Sequence, residues 1–417
     1  MPDRSRAGRL ATLLAAISAA PVGVDAGQVD PQDFSQLEAG RYLAVVSDCV
    51  GCHTVPGSGR TYAGGRIVET PFGNLLSPNI TPDRDTGIGG WTDDEFDAAV
   101  RRGRRPDGSR LYPAMPYNAY TRMSREEVLA LRAYLNTVPP VRNSVEPNQL
   151  PFPYDVRAAV GVWDALYFSA GEYRPVAQQT PEWNRGAYLV TGPGHCAACH
   201  TPKTFLGGDE EHRPLEGSPL QGWFAPNLTD DRYLGIGGWA NEDVVAYLKS
   251  GHNRTSAATG PMAEVVELST SQMTVADLQA IAGYLKSLAG AGDPPAPLGA
   301  GDPRMVAGEA IYRDQCSACH GLEGRGTPFL FPSLADSSVV RAQDTATLVR
   351  IVLRGTRSAA TATEPTAPGM PAYGGQLTDA QVAAVLTFIR NAWGNGAAPV
   401  VEDGVARARS QLSARSD

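Results

Sequence analysis

The sequence predicts a mainly α-helical protein with long loops, built from three successive units of similar design. Three observations support this prediction. One cysteine–histidine motif occurs three times, two 25-residue segments repeat each other, and amphipathic helical patterns follow each motif while little strand pattern appears. The 417 residues are enough for about two to four domains of ordinary size. The 45 glycines and 33 prolines are consistent with a loop-rich chain.

The clearest internal repeat relates residues 79–103 to residues 227–251. The two segments share 11 identities at 25 aligned positions, and both contain the sequence GIGGW. The first two units are therefore predicted to be duplicated modules. Asn79-Ile80-Thr81 in the first copy matches a glycosylation signal, but the repeat is the better explanation of this match.

Two helices are predicted in every unit, one before the cysteine motif and one near the end of the unit. The first helix is expected to start near a glycine, whose small size would let the two helices cross closely. These glycines are Gly40, Gly186 and Gly308. The second helix starts with a capping box or a weaker version of one. The capping pairs are Ser124 with Glu127, Thr274 with Asp277, and Thr378 with Gln381.

The repeats and the composition of the junctions predict the domain boundaries. The predicted segments are a signal peptide (1–26), domain 1 (27–145), a linker with a short helix (146–175), domain 2 (176–288), a Gly/Pro linker (289–303), domain 3 (304–396) and a polar, disordered tail (397–417). Residues 156–168 are predicted to form the linker helix. This helix is interpreted first as a strut between modules and alternatively as a docking or membrane-surface element. We refer below to the three domains as the first, second and third units.

Charge and hydropathy exclude two classes of protein. The formal net charge is −8 and no long basic run occurs, which excludes nucleic-acid binding. No apolar stretch reaches the roughly 20 residues of a membrane-spanning helix, which excludes an integral membrane protein of several spans. Three arginines followed by an apolar run and small residues predict the secretory signal of 1–26, and therefore export to the periplasm.

All six cysteines belong to C-x-x-C-H motifs, the attachment signature of c-type haem. The spacing lets two thiols reach the two vinyl groups of one haem, and the next residue places an imidazole beneath the iron. Three covalent haems are therefore predicted, with the histidines as axial ligands. The motifs are Cys49/Cys52/His53, Cys196/Cys199/His200 and Cys316/Cys319/His320.

Three other uses of a C-x-x-C pair fit less well. A thioredoxin-like site needs only one pair and no following histidine. A zinc site would combine two pairs and leave the third unmatched. A disulfide framework suits an exported protein but does not explain a histidine after every pair.

Three methionines in proline-flanked loops are the predicted sixth ligands of the haem irons, a ligand that raises the reduction potential. They are Met115, Met262 and Met370, which lie 62, 62 and 50 residues after the histidines of their motifs. Proline can hold such a loop stiff against a haem face. Met123 and Met273 are predicted to pack in the core, and Met305 is a weak candidate ligand. The remaining histidines, His195, His212 and His252, are predicted to be solvated.

Each unit resembles a class I cytochrome c domain, and residues 35–395 resemble the tri-haem cytochrome c subunit of bacterial membrane-associated alcohol, gluconate, fructose or sorbitol dehydrogenase complexes. The resemblance rests on the three motifs, the two GIGGW segments, Tyr112-Pro-Ala-Met115-Pro116 and Leu377-Thr-Asp-Ala-Gln381. It implies a large dehydrogenase subunit with flavin or another cofactor as the electron donor. It implies ubiquinone or a terminal oxidase as the acceptor.

The sequence thus predicts a periplasmic electron-transfer subunit with no catalytic site of its own. Members of the family often carry an apolar C-terminal anchor, whereas residues 400–417 are polar and charged, so membrane attachment through a partner is expected. Three alternatives stay open at this point: a freely diffusing carrier, the electron-transfer subunit of a molybdenum hydroxylase, and a self-contained haem enzyme with an open iron position.

Overall fold

The computed structural model describes residues 31–290, 292 and 295–413. The predicted signal peptide (1–26) lies outside the described residues, as do three positions of the second linker and the last four residues of the predicted tail. The described chain is mostly helical, and its strands form short antiparallel hairpins, as the sequence predicts.

The first unit and the linker behind it contain six α-helices and one hairpin among their described residues. Their bounds are α1 Pro31–Val46, α2 Cys49–His53, β1 Ile67–Thr70, β2 Gly73–Leu76, α3 Asp93–Arg102, α4 Tyr117–Tyr120, α5 Arg125–Leu135 and, in the linker, a 3-10 turn at Arg157–Ala159 and α6 Val160–Tyr167.

The second and third units follow the same plan with different loops. The second comprises α7 Pro181–Thr191, α8 Ala197–His200, β3 Ser218–Leu220, β4 Trp223–Ala225, α9 Asn241–Ser250, α10 Pro261–Leu268, a 3-10 turn at Thr270–Gln272 and α11 Val275–Leu285. The third comprises α12 Pro303–Gln315, α13 Ser317–His320, α14 Ser338–Arg341, α15 Ala346–Arg354, β5 Thr356–Arg357, β6 Gly369–Met370, α16 Asp379–Ile389 and α17 Glu402–Ser413.

A close crossing of two helices organises each unit: α1 with α5, α7 with α11, and α12 with α16. A Cβ atom added to the glycine of the first helix would clash with a backbone carbonyl oxygen of the second helix. The pairs are Gly40 with Ala130, Gly186 with Ala280, and Gly308 with Ala384. The predicted role of the glycines is therefore confirmed, since only a residue without a side chain allows this approach.

The predicted start of the opening helices is wrong, because these glycines lie inside the helices. α1 is already helical at Pro31, while α7 and α12 begin at Pro181 and Pro303. Thr180 and Asp302 cap the latter two by accepting backbone hydrogen bonds, and proline is favoured at the first helical position. The capping boxes of α5 and α16 form as predicted.

The linker helix α6 packs between the first two units, as its interpretation as a strut predicts. Tyr117 of the first unit donates a hydrogen bond to buried Asp164 in α6 at 2.7 Å. Tyr167 at the end of α6 is hydrogen-bonded to Thr204 of the second unit at 3.1 Å. The opposite face of α6 carries the exposed side chains Val162 and Leu166.

The prediction of a disordered tail after residue 396 is wrong for its described part. Residues 402–413 form α17, which packs against α15 and α16. Val405 is fully buried and Leu412 nearly so, and Arg409 makes an ion pair with Asp379 at 2.7 Å. Two apolar side chains seven positions apart lie on one face of a helix, so this charged segment still buries an apolar stripe.

Candidate functional site

The three C-x-x-C-H motifs lie directly after the opening helices, on the short helices α2, α8 and α13. The residue before the first cysteine adopts a left-handed conformation in two of them, Asp48 with φ 45° and His195 with φ 35°. Aspartate and histidine tolerate this conformation better than most residues. The chain thus turns sharply between the opening helix and the motif in the first two units, whereas in the third α12 runs directly to Cys316.

Burial raises the pKa of the first cysteine thiol in each motif. It raises the pKa of Cys49 and Cys196 to about 12 and that of Cys316 to about 11, because a thiolate loses its hydration in these positions. A redox-active or zinc-binding cysteine instead needs a stabilised thiolate. All six cysteines are unpaired. The first thiol of each motif therefore packs against the core of its unit without the stabilisation that a reactive or metal-binding thiolate needs.

Each motif histidine is fixed by the same hydrogen bond. The Nδ1–H group donates to a proline carbonyl oxygen: His53 to Pro78 at 2.7 Å, His200 to Pro226 at 2.7 Å, and His320 to Pro332 at 3.0 Å. Burial also lowers the pKa of all three imidazoles and keeps them neutral. A neutral ring that donates from Nδ1 carries its lone pair on Nε2, which is the atom that can bind iron.

The repeated Asn-x-Thr segment forms a turn directly after the proline in the first two units. The side-chain oxygen of Asn79 accepts hydrogen bonds from the backbone and hydroxyl of Thr81 at 2.9 and 2.8 Å. Asn227 and Thr229 make the same pair of contacts, both at 2.7 Å. Asn79 is buried, so the structure agrees with the repeat rather than with glycosylation as the reason for this sequence.

Two of the predicted methionine ligands pack in the same core as the cysteines of their unit. Met115 and Cys49 both lie against the core of the first unit, and Met370 and Cys316 against the core of the third. Met115 is in the turn before α4, whereas Met370 is in the strand β6. Both methionines therefore reach the core that also contacts the cysteine of their unit, although the local structures that carry them differ.

Met262 has a different environment. It lies in the first turn of α10 rather than in a loop, and Gly260 before it has φ 57°. Cys196 packs in the main core of the second unit, while Met262 packs against a separate small cluster. That cluster consists of Ala258, Ala263, Val266 and Ala359, and Ala359 belongs to the third unit.

The predicted core packing of Met123 and Met273 is confirmed, but the predicted solvation of two histidines is wrong. Met123, Met273 and Met305 are buried in the cores of their units. His195, predicted to be solvated, packs edge-on against Tyr120 with ring centroids 5.6 Å apart and has Nε2 3.3 Å from the Ser47 carbonyl oxygen. It therefore belongs to the contact between the first two units.

His252 is also buried, with Nδ1 3.2 Å from the Ser250 carbonyl oxygen. Only His212 of the three histidines outside the motifs has the predicted exposure. The charged or small neighbours of these histidines in the sequence do not indicate how exposed their side chains are. His195 is covered by residues distant in the chain, and His252 by its own loop.

Sequence reasoning missed the proline carbonyls that hold the histidines. Pro78 and Pro226 each precede the repeated asparagine, and this recurrence is the signal that could have identified them. Pro332 lies only 12 residues after its histidine, in a loop that shares no such pattern. The donor set as a whole fits haem c. Unpaired thiols and a neutral imidazole with Nε2 available occur in all three units, and a methionine lies at the core of the first and third.

Comparison with known proteins agrees with this chemistry. The family model for cytochrome c matches residues 37–139 and 305–393. The chain is 38% identical over 93% of its length to the cytochrome c subunit of a quinone alcohol dehydrogenase from Gluconacetobacter polyoxogenes, covering 86% of that protein. It is 39% identical to the gluconate 2-dehydrogenase cytochrome c subunit of Pantoea cypripedii, covering 89% of each.

A third relative is the fructose dehydrogenase cytochrome subunit of Gluconobacter japonicus, 35% identical over 90% of this chain and 82% of that protein. The fold and the motifs define a c-type cytochrome, whose cofactor is haem c with its iron. The chain belongs to the family of cytochrome c subunits that these three relatives represent.

No helix in residues 31–290 or 295–413 combines the length and the hydrophobicity needed to cross a bilayer.

Proposed function

We propose that this chain is a tri-haem cytochrome c that relays electrons from a partner dehydrogenase acting on CH–OH donors towards ubiquinone or a terminal oxidase. The observation that carries the proposal is the threefold recurrence of one arrangement: a C-x-x-C-H helix whose histidine is held by a proline carbonyl. The three relatives are named as subunits of dehydrogenases, which favours a subunit over a freely diffusing carrier.

The proposed haem-binding residues follow from the motifs. Thioethers form at Cys49 and Cys52, at Cys196 and Cys199, and at Cys316 and Cys319. His53 with Met115, His200 with Met262, and His320 with Met370 would hold the three irons. The proposed domains are those predicted from the sequence, except that residues 402–413 join the third unit as α17.

The side chains perform the relay by holding the iron sites rigid. Haem c supplies, when bound, a one-electron iron centre whose potential depends on its axial ligands. The proline carbonyl fixes the plane of each imidazole and keeps Nε2 directed away from the hydrogen bond. With histidine and methionine at the axial positions no site is left for a substrate, so the chain itself has no catalytic centre.

The proposed location is the periplasm, at the surface of the inner membrane. The predicted signal peptide supports export, and attachment through the dehydrogenase partner requires no spanning helix in this chain. The partner would be a large subunit with flavin or another organic cofactor. The net charge of −8 favours a basic docking surface on that partner, with an association that weakens at high salt.

The test is purification of the tagged chain from its own host, with its partners retained. We expect three haems per chain by pyridine haemochrome and co-purification of a dehydrogenase subunit. We also expect the haem α-band to become reduced on addition of an alcohol, gluconate or fructose. Isolation of the chain alone, with no reduction by any of these donors, would contradict the proposal.

A substitution tests the axial assignment. Met115→His should lower the midpoint potential of one of the three haems, because thioether ligation raises the potential relative to imidazole. The measurement is a spectroscopic redox titration. Met123→Leu is the matched control, since Met123 is fully buried in the core of the same unit and should leave all three potentials in place. Unchanged potentials in Met115→His would remove Met115 as a ligand.

A further inference from the structure

The helix that carries Met262 is in contact with both neighbouring units. On one side α10 packs against α2, the haem-attachment helix of the first unit. On the other side the backbone N–H of Ala359 in the third unit donates to the carbonyl oxygen of Ala258 at 3.1 Å, just ahead of α10. Neither Met115 nor Met370 packs in a cluster that includes another unit.

Arg66 makes the contact from the first unit. Its guanidinium forms a two-pronged ion pair with Glu264 in α10, one prong of which is Nη2 to Oε2 at 2.7 Å. It also donates to the carbonyl oxygen of Gly51, inside the first C-x-x-C-H motif. The side chains of Arg66 and Glu264 are 27% and 33% exposed, so the pair is only partly screened by water.

Ala359 makes the contact from the third unit by close packing. It is fully buried and belongs to the cluster against which Met262 packs. A Cβ atom on Gly251 would lie 2.6 Å from the Ala359 Cβ atom, so no free space surrounds this methyl group. The next residue, Ala360, is exposed, and its backbone N–H donates to Glu267 of α10 at 2.7 Å.

We propose that the Met262 site is composite: Arg66 of the first unit and Ala359 of the third unit are positioning residues that hold Met262 on the second haem iron. The proposal rests on the proposed function, in which Met262 is an axial ligand. It makes the second haem the one whose ligation depends on both neighbouring units, whereas the first and third irons take their methionines from self-contained cores.

Two substitutions test the two contacts. Arg66→Met removes the ion pair and Ala359→Leu overfills the cluster. Each should loosen the position of Met262 while Met262 itself is retained. Loss of a charge-assisted contact of about 1 kcal/mol corresponds to about fivefold more frequent opening, and hence about fivefold faster cyanide binding to one ferric iron in three. The charge-transfer band of methionine-ligated ferric haem should fall by up to about one third.

Matched controls separate positioning from general damage. Arg66→Lys keeps a cation opposite Glu264 and should recover most of the wild-type band. Arg41→Met removes an exposed ion pair within α1, between Arg41 and Glu38, and should change neither readout. Ala360→Leu adds the same side chain one residue further on, at an exposed position, and should also leave both readouts unchanged.

Combination with Met262→His identifies the iron concerned. Met262→His alone should remove about one third of the band, and Ala359→Leu should remove nothing more in that background. A further loss in the double variant would show that Ala359→Leu acts on Met370 instead and would overturn the proposal, as would an unchanged band in Arg66→Met. A full band in Met262→His would instead refute Met262 as a ligand, which is a failure of the proposed function.

Discussion

The first two units and the third reach the same histidine hydrogen bond through different loops. In the first two, 25 or 26 residues separate the histidine from its proline, the loop between them contains a hairpin, and the Asn-x-Thr turn follows the proline directly. In the third, 12 residues suffice, and Ser333 donates to the carbonyl oxygens of Gly324 and Ala335 at 3.2 and 2.8 Å. The position of the carbonyl is thus maintained while the loop that supplies it differs.

The third unit also has a helix that the other two lack. Because α17 covers α15 and α16, the core of the third unit includes Val400, Val405 and Leu412 from beyond the helix pair. The first two units instead bury surface against each other, for example where Tyr42 of α1 donates to Asp277 of α11 at 2.7 Å. A unit of this size needs additional covering, and the chain provides it by two routes.

The largest expected effect tests whether the units are chemically equivalent despite these differences. The double variants Cys49→Ser/Cys52→Ser and Cys316→Ser/Cys319→Ser should each lower the covalent haem content from three per chain to two, because each removes both thioether positions of one motif. Pyridine haemochrome per chain is the measurement. Ser317→Ala, within the third motif, is the control and should retain three haems. Three haems in Cys316→Ser/Cys319→Ser would contradict the assignment of the third motif.

A smaller effect should be confined to the third unit. Val405→Ala removes two buried methyl groups from the face of α17 and should lower the free energy of unfolding by about 2 kcal/mol. Denaturant unfolding followed by haem absorbance gives the value. Val401→Ala is the control, since Val401 is 61% exposed and its truncation should cost less than about 0.5 kcal/mol. Equal effects for both variants would mean that α17 does not pack as described.

The smallest expected difference between variants separates the two loop designs. Asn79→Ala and Asn227→Ala should each cost about 1–3 kcal/mol, because the buried N–H groups of Thr81 and Thr229 lose their acceptor. Ser333→Ala should cost about 1 kcal/mol, since it removes a donor and leaves two carbonyl oxygens with other possible partners. The same unfolding measurement compares the three variants. A larger loss in the free energy of unfolding for Ser333→Ala than for either asparagine variant would contradict this comparison.

Local chemistry made much of this protein predictable. The spacing of Cys316, Cys319 and His320 is set by the haem itself. Each of the three motifs can therefore be recognised in the sequence without knowledge of the fold. The capping boxes at Ser124 and Thr378 are likewise local, since donor and acceptor lie three residues apart. The glycines of the helix crossings were found through the repeat, although their exact place within the helices was not.

Contacts between residues distant in the chain were not predictable in this way. His195 packs against Tyr120 from another unit, and the polar stretch 402–413 became a helix because α15 and α16 offered an apolar surface. Nothing near either segment in the sequence encodes those partners. A solvated histidine and a disordered tail were reasonable expectations from local composition, and both failed for the same reason.

The sequence alone determined the cofactor chemistry, because covalent attachment requires two thiols and an imidazole at fixed spacing along one short helix. Only the tertiary structure decided which carbonyl orients each imidazole and what surrounds each methionine. Those relations depend on how three units pack together, and packing free energy is summed over many weak contacts that no short stretch of sequence contains. The helix α10, which carries Met262 and contacts Arg66 through Glu264 on one side and Ala359 on the other, is the clearest result of that packing.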